Sequence, residues 1–374
     1  MALLNVLVVN AGSTSLKLSL VDDAGGARPV ASLEEAPADV QAVGHRVVHG
    51  GARFREPVLI DEPVIAELHT VTELAPLHNA AALKAIVAGL QALPELPHVA
   101  VFDTAFHATL PEEATTYPVP ARWRRELGLR RYGFQGISAQ WSAERVAVPR
   151  LVVCHLGGGS SVTAVRDGRS VDTTMGLTPL EGLPMATRSG SVDPGLLVYL
   201  LRHGHESLDE LEHALQHESG LLGLSELSPH VHELEAAEEA GDERARLALA
   251  IYSRRIAQAV AAAAVALNGL DAIVFTGGAG ERSPPLRARI CFQLRFLGVE
   301  LDDGANEVTA GDGEIANSGS PVRVVVVASR EDLVIARSVR QTLAVAPGAA
   351  SPFWTVKPYG TVSSGRSCCR RSVP

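Results

Sequence analysis

A chain of 374 residues is too long for one simple core, and an apolar share of 46% is ample for two domains. A formal charge of −9 argues against nucleic acid as a partner, and the most membrane-like stretch, residues 257–267, is too short to span a bilayer. Cys154, Cys291, Cys368 and Cys369 have neither metal-ligand spacing nor the look of a disulfide framework, and no signal peptide is visible at Met1, so a cytoplasmic location is expected.

Residues 6–20, VLVVNAGSTSLKLSL, read as two strands joined by a tight turn, with Asn10, Gly12, Ser13, Ser15 and Lys17 at or beside it. Glycine lets backbone N–H groups approach an anion, hydroxyls add donors and Lys adds charge, so this is either a phosphate cradle or an ordinary hairpin. The run AVGHRVVHGG, residues 42–51, is a strand with Arg46 inside it. Such a cation needs an anionic partner, structural or ligand. Residues 64–74 and 75–93 have helical spacing, the second capped by Asn79. Residues 99–102 then form a buried strand ending at Asp103, where open α/β sheets place ligands.

At residue 151 the chain repeats itself. LVVCHLGGGSSVTAVRDG follows the plan of VLVVNAGSTSLKLSLVDD, aligning Asn10 with His155 and Gly12 with Gly157 without a gap. Two such hairpins, each opening about half of the chain, predict a duplicated domain with phosphate-binding turns facing across a cleft. Residues 171–194 are irregular and rich in Gly, Pro and Thr, and carry Arg188. Asp242 caps a long helix through Asn268 with Leu247, Ile251, Ile256 and Val260 among its apolar positions. Residues 272–284, AIVFTGGAGERSP, are a third strand-to-glycine site, suited to a nucleotide. A final strand and helix place Glu331 and Asp332 in a first helical turn, where they satisfy the helix dipole, and Glu331 is also within reach of a metal-nucleotide. Residues 345–374 lack apolar periodicity and read as a disordered tail. Three glycine turns at strand ends, interspersed with Arg46, Arg188, Asp103 and Glu331, point to phosphoryl transfer, which needs placed phosphates and compensating charge more than a covalent nucleophile.

The series NAGSTSLKL, GHRVVHGG, LAPLHN, VFDTAFH, RRYGF, DTTMGLTPLEGL, TRSGSVDP, FTGGAGE and REDLVIAR, in this order and spacing, resembles the acetate kinases of the actin-like kinase superfamily over residues 4–344. The resemblance implies an α/β, duplicated actin-like (ribonuclease H-like) fold with an interdomain cleft. Its expected parts are an acyl-substrate domain, 1–147, a nucleotide-binding domain, 148–331, and a helix, 332–344, returning to the first. It implies transfer of phosphate from ATP to a small carboxylate with Mg²⁺, or Mn²⁺ in its place, in a homodimer. By motif, Asn10, Ser13, Ser15 and Lys17 belong to the first phosphate site, and His155, Leu156, Gly157, Gly158 and Gly159 to the second. Arg46 and Arg188 would hold the acyl carboxylate and the phosphoryl in flight. Asp103 and Glu331 would organise Mg²⁺, Glu331 more directly and beside Asn10. Val48, Leu77, Phe134 and Pro179 correspond to the apolar acyl pocket, and Gly277, Gly278, Ala279, Gly280 and Glu281 to the nucleotide site.

The chain also departs from that pattern. Gln135 stands where the family has the His that bonds the phosphoryl, and Ala139 replaces a second His. Gly158 stands for an Asn, and the adenosine-contacting run S-S-D-x-R is Ser228, Pro229, His230, Val231 and His232, so His232 lacks the fixed charge and fork of Arg. Besides an active acetate or propionate kinase, a nucleotide- or acyl-phosphate-binding paralogue with weakened or lost turnover, and a kinase for another small carboxylate, remain open.

Overall fold

The computed structural model describes residues 4–11, 16–72, 76–309 and 311–345, with residues 76–78 described by backbone alone. Residues 6–9 are consecutive apolar positions, which suits a strand covered on both faces, and in β1 (Val6–Ala11) they are at most 1% exposed. β2 (Leu16–Val21) returns antiparallel, pairing Lys17 with Asn10, and β3 (Ala27–Val30) extends the meander. β4 (Ala42–Val47) and β6 (His98–Phe102) then run parallel on the other side of β1, and the short β5 (Val58–Leu59) closes the edge, giving the order β3-β2-β1-β4-β6-β5.

The second sheet repeats this plan. β7 (Arg150–Leu156), β8 (Ser160–Arg166) and β9 (Arg169–Thr173) form the antiparallel meander, and β10 (Ala272–Thr276) and β12 (Arg323–Val326) add in parallel. With β11 (Gly313–Glu314) at the edge, the order is β11-β12-β10-β7-β8-β9. Outward from the meander, 3-2-1-4-6 matches 9-8-7-10-12, so the hairpin echo in the sequence is the echo of a whole sheet. The molecule is an α/β protein of two similar halves.

Two helices sit between the sheets. The helix Glu331–Val345 buries Val334, Ile335, Ala336 and Val339 with Val6, Val8, Val99 and Val101 of the first sheet. Its close approach depends on Gly44 of β4, where a Cβ would lie 2.7 Å from Val339 and 2.8 Å from Ile335. The helix Gly136–Val146 puts Ile137 into that same cluster, while its Ala139, Ala143 and Val146 pack with Leu151, Val153 and Val274 of the second sheet. The chain therefore crosses between halves twice, near residues 136 and 331, and both crossings flank the site.

Two local expectations are corrected. Asn79 is not a helix cap: the helix is Pro76–Ala92, and the buried Asn79 amide instead accepts from the His49 N–H and donates to the His49 carbonyl, each at 3.0 Å. The long helix Glu243–Leu267 is capped by Asp242, but Leu247 is exposed and the buried face runs through Ala248, Leu249, Tyr252, Ile256 and Val260. Alanine allows that helix close packing where leucine periodicity alone misplaces its face. No helix of the described residues is long and apolar enough to cross a membrane. Ser13, Ser15, the side chain of Leu77 and the tail beyond Val345 lie outside the described residues.

Candidate functional site

The strand ends of both sheets meet at a cleft of about 920 Å³, lined from the first half by Asn10 and Lys17 and from the second by His155, Gly277, Gly278 and Glu331. Arg46, the cation inside β4, has its anionic partner: Nε and Nη2 reach the two carboxylate oxygens of buried Asp103 at 3.1 and 2.6 Å. Its Nη1 donates to Asn10 Oδ1 at 3.1 Å, and Asn10 Nδ2 donates to Glu331 Oε2 at 2.9 Å. One chain of polar contacts thus joins β1, β4, the end of β6 and the start of the terminal helix. Burial works against the Arg46 charge, but Asp103 and Glu331 outweigh it and raise its pKa. For Glu331, burial pushes upward, while Arg46, His155 and the Asn10 bond prevail and hold it below the usual carboxylate range.

Glu331 is the residue suited to a metal. Its Oε2 is engaged by Asn10 and lies 3.9 Å from Arg46 Nε, while Oε1 has no hydrogen-bond partner among the described residues. One carboxylate beside a phosphate site fits Mg²⁺, which binds through one or two carboxylates plus substrate phosphates and water. The Asn10 amide oxygen, by contrast, is already taken by Arg46. Among the described residues no group of three or more His, Cys, Asp or Glu side chains forms a protein-only metal cage.

Facing this network is the second hairpin. Gln135 caps the helix Gly136–Val146 in the left-handed region, φ 57°, and its Oε1 accepts from Ser161 Oγ at 2.6 Å. That bond leaves the amide nitrogen free to turn toward Gly159, where a Cβ would lie 3.2 Å from Gln135 Nε2 and 2.8 Å from Arg188 Nη2. Gln135, Arg188 and the second glycine loop are thereby brought together. Arg188 donates to the Pro179 carbonyl at 2.7 Å, and burial alone draws its pKa down to about 10. His155 Nδ1 bonds Ser138 Oγ at 2.8 Å, and burial lowers its pKa. Gly158 is exposed, and a side chain there would start with nothing within 4 Å.

Val48, Phe134, Met175 and Met185 form one apolar cluster, all at most 4% exposed. Val48 and Phe134 were expected. Met175 and Met185 were not, and their only signal was position inside the irregular, Gly- and Pro-rich segment. Pro179 is buried and contributes its carbonyl to Arg188.

The third glycine site opens on the cleft through Gly277, Gly278 and Glu281. Glu281 Oε1 also accepts from the Gly277 N–H at 2.9 Å and the Ser329 N–H at 3.0 Å. It braces the β10 turn against the segment leading to Glu331. His230 and His232 stack on each other at 5.8 Å at the exposed start of the helix Val231–Glu239. No hydrogen bond among the described residues joins either side chain to the cleft.

Residues 27–337 match a family model described as the Acetokinase family. The acetate kinase of Gloeobacter violaceus is 48% identical over 317 residues, 82% of this chain and 78% of that protein. The acetate kinase of Deinococcus radiodurans is 51% identical over 308 residues, 80% of this chain and 77% of that protein. A propionate kinase structure from Francisella tularensis superposes with a TM-score of 0.85 at 34% identity, covering 90% of this chain and 99% of that one.

Proposed function

The chain belongs to the acetokinase family, and from that premise we propose that it is a carboxylate phosphotransferase moving the γ-phosphoryl group of ATP reversibly to acetate or propionate. The products are an acyl phosphate and ADP. The observation that carries the reading is two half-buried arginines next to one apolar cluster: Arg46 lies two residues before Val48, Arg188 donates to the Pro179 carbonyl, and Val48 packs with Phe134, Met175 and Met185. A short carboxylate needs a cation for its charged end and a dry pocket for its methyl group, and this arrangement offers both.

In the mechanism we propose, the methyl or ethyl group enters the apolar cluster and Arg46 orients the carboxylate, with Asp103 keeping the guanidinium fixed and charged. One carboxylate oxygen attacks the γ-phosphorus in line as its bond to the β-phosphate bridging oxygen breaks, so that oxygen leaves with ADP. Negative charge spreads over the equatorial oxygens, where Arg188, the Gln135 amide and the Gly157–Gly159 backbone supply preorganised donors. Glu331, assisted by Asn10, would hold Mg²⁺ on the donor's phosphates, where the ion supplies charge compensation. Lys17, with Ser13 and Ser15 as the sequence implies, would grip the phosphates. Gly277, Gly278, Ala279 and Gly280 would carry the nucleoside end.

We also propose a cytoplasmic homodimer. The helix Pro194–Arg202 leaves Leu196, Val198, Tyr199 and Leu201 at 41–52% exposure, an apolar face that such a dimer would bury. Sedimentation velocity at micromolar protein should give twice the chain mass.

The test of activity is acyl-hydroxamate formation with Mg²⁺ across ATP, GTP and CTP, and across acetate, propionate and butyrate. Turnover is expected with ATP and acetate or propionate. Absence of turnover with every pair, alongside measurable nucleotide binding, would favour a binding paralogue, the reading motivated by Gln135, Gly158 and His232.

A further inference from the structure

The segment that supplies Met175 and Pro179 is held from outside its own half. Both backbone groups of Leu177 are taken by side chains of the first half: its N–H donates to Tyr117 Oη at 2.8 Å, and its carbonyl accepts from His49 Nε2 at 3.2 Å. Tyr117 donates in turn to Glu181 Oε2, whose Oε1 takes Arg131 at 2.7 Å. Arg131 also donates to the Thr174 carbonyl at 3.0 Å and lies 5.6 Å from the Tyr117 ring centre. Gly176 makes room for this closure, because a Cβ there would fall 2.1 Å from Tyr117 Oη and 1.6 Å from Glu181 Oε2.

His49 is fixed as firmly. Its Nδ1 accepts from the Gly51 N–H at 2.8 Å, which places the proton of the neutral ring on Nε2, facing Leu177. Asn79 grips its backbone in both directions, and its ring packs edge-on to Tyr132 at 4.6 Å and Phe134 at 5.2 Å. Burial keeps the imidazole neutral, with a pKa of about 4. His49 follows Val48 directly, and Phe134 is shared with the apolar cluster. The two hydrogen bonds to Leu177 therefore tie the first-half wall of that cluster, Val48 and Phe134, to its second-half wall at Met175. They also tie it to the Pro179 carbonyl that holds Arg188.

We propose that His49 and Tyr117 are positioning residues that clasp the 174–182 segment, set the depth of the acyl pocket, and so decide which short carboxylate it prefers. The proposal rests on the kinase reading above. Neither residue reaches the reacting atoms. Their effect passes through the position of Met175 and Pro179.

The test compares Tyr117→Phe, His49→Gln and His49→Leu with the wild type for acetate, propionate and butyrate. Losing one hydrogen bond to the segment should raise KM for acetate by about fivefold to tenfold. The acetate preference over propionate should shrink by a similar factor, with KM for ATP unchanged and kcat changed less than KM. His49→Gln, which keeps a donor, should lie closer to wild type than His49→Leu. The same ratios are read from dissociation constants of acetyl and propionyl phosphate by calorimetry, with folding verified by thermal unfolding. No turnover by the wild type would count against the kinase reading alone. Folded variants whose acetate-to-propionate binding ratio stays within about twofold of wild type would overturn the clasp.

Discussion

Gln135 shows how much one side chain can be asked to do. It is held in the left-handed region with its oxygen occupied by Ser161, and its amide nitrogen faces Gly159 beside Arg188. A neutral amide stabilises a phosphoryl in flight less than a charged donor does. Gln135→His is therefore expected to raise kcat by about tenfold, an order of 1 kcal/mol in barrier, with substrate KM little changed. Steady-state kinetics check this, and an unchanged kcat would show that the amide is no handicap. The Arg46–Asp103 pair makes the opposite point. Removing the carboxylate in Asp103→Ala leaves a half-buried guanidinium with Glu331 and Asn10 as its remaining polar partners, which should cost about 3 kcal/mol in urea unfolding and abolish turnover together.

At the scale of elements, the terminal helix Glu331–Val345 sets the placement of Glu331, and β4 sets the placement of that helix. Gly44 is the contact between them. Gly44→Ala forces a methyl group to within 3 Å of Val339 and Ile335, so the helix must shift away from the sheet. Overpacking of this kind costs about 1–3 kcal/mol, seen as a lower Tm. Because Glu331 rides on the first turn, the Mg²⁺ concentration for half-maximal rate should rise in parallel. A fall in Tm without any change in Mg²⁺ dependence would separate the helix from the metal role. The helix Gly136–Val146 is the corresponding element on the other side, carrying Ser138 to His155 and, at its cap, Gln135.

For the whole molecule, buried histidines decide the response to acid. His45 Nε2 and His98 Nδ1 bond each other at 2.9 Å, and His45 Nδ1 is buried without a hydrogen-bond partner among the described residues. Burial lowers the pKa of both, and holds His49 and His107 near 4, against an unfolded value of 6.5. These groups are neutral in the folded state, so the unfolded chain binds more protons below pH 6.5. Their stabilisation is complete above 6.5 and is lost as pH falls toward the folded values. His49 and His107 should each contribute a slope of about 1.4 kcal/mol per pH unit between 6.5 and 4, and His45 and His98 add to it in the same direction. Urea unfolding at pH 5, 6 and 7 is expected to show a steep drop below neutrality, and His107→Gln should flatten it. A stability independent of pH over that range would mean that these rings are not buried as neutral groups.

Much of this protein is determined by its sequence taken alone. Consecutive apolar runs define β1, β7 and β10 because a strand buried on both faces tolerates little else, and the gapless repeat of residues 6–23 at 151–168 exposes the duplication. Arg46, Asp103 and Glu331 stand out as charges placed inside or near the ends of apolar runs, and Arg188 as a cation inside an irregular, Gly- and Pro-rich segment. Asn79, by contrast, carries the local pattern of a cap but serves as a brace to His49, and Met175, Met185, His49 and Tyr117 carry no periodic signal at all. The roles of His49 and Tyr117 depend on a backbone that lies opposite them across 60 residues of chain or more, that of Leu177. Strand and helix patterns are local consequences of solvent exclusion and are written along the chain. The partner of a buried polar atom is chosen only when two distant segments close on each other, and that choice belongs to the tertiary structure.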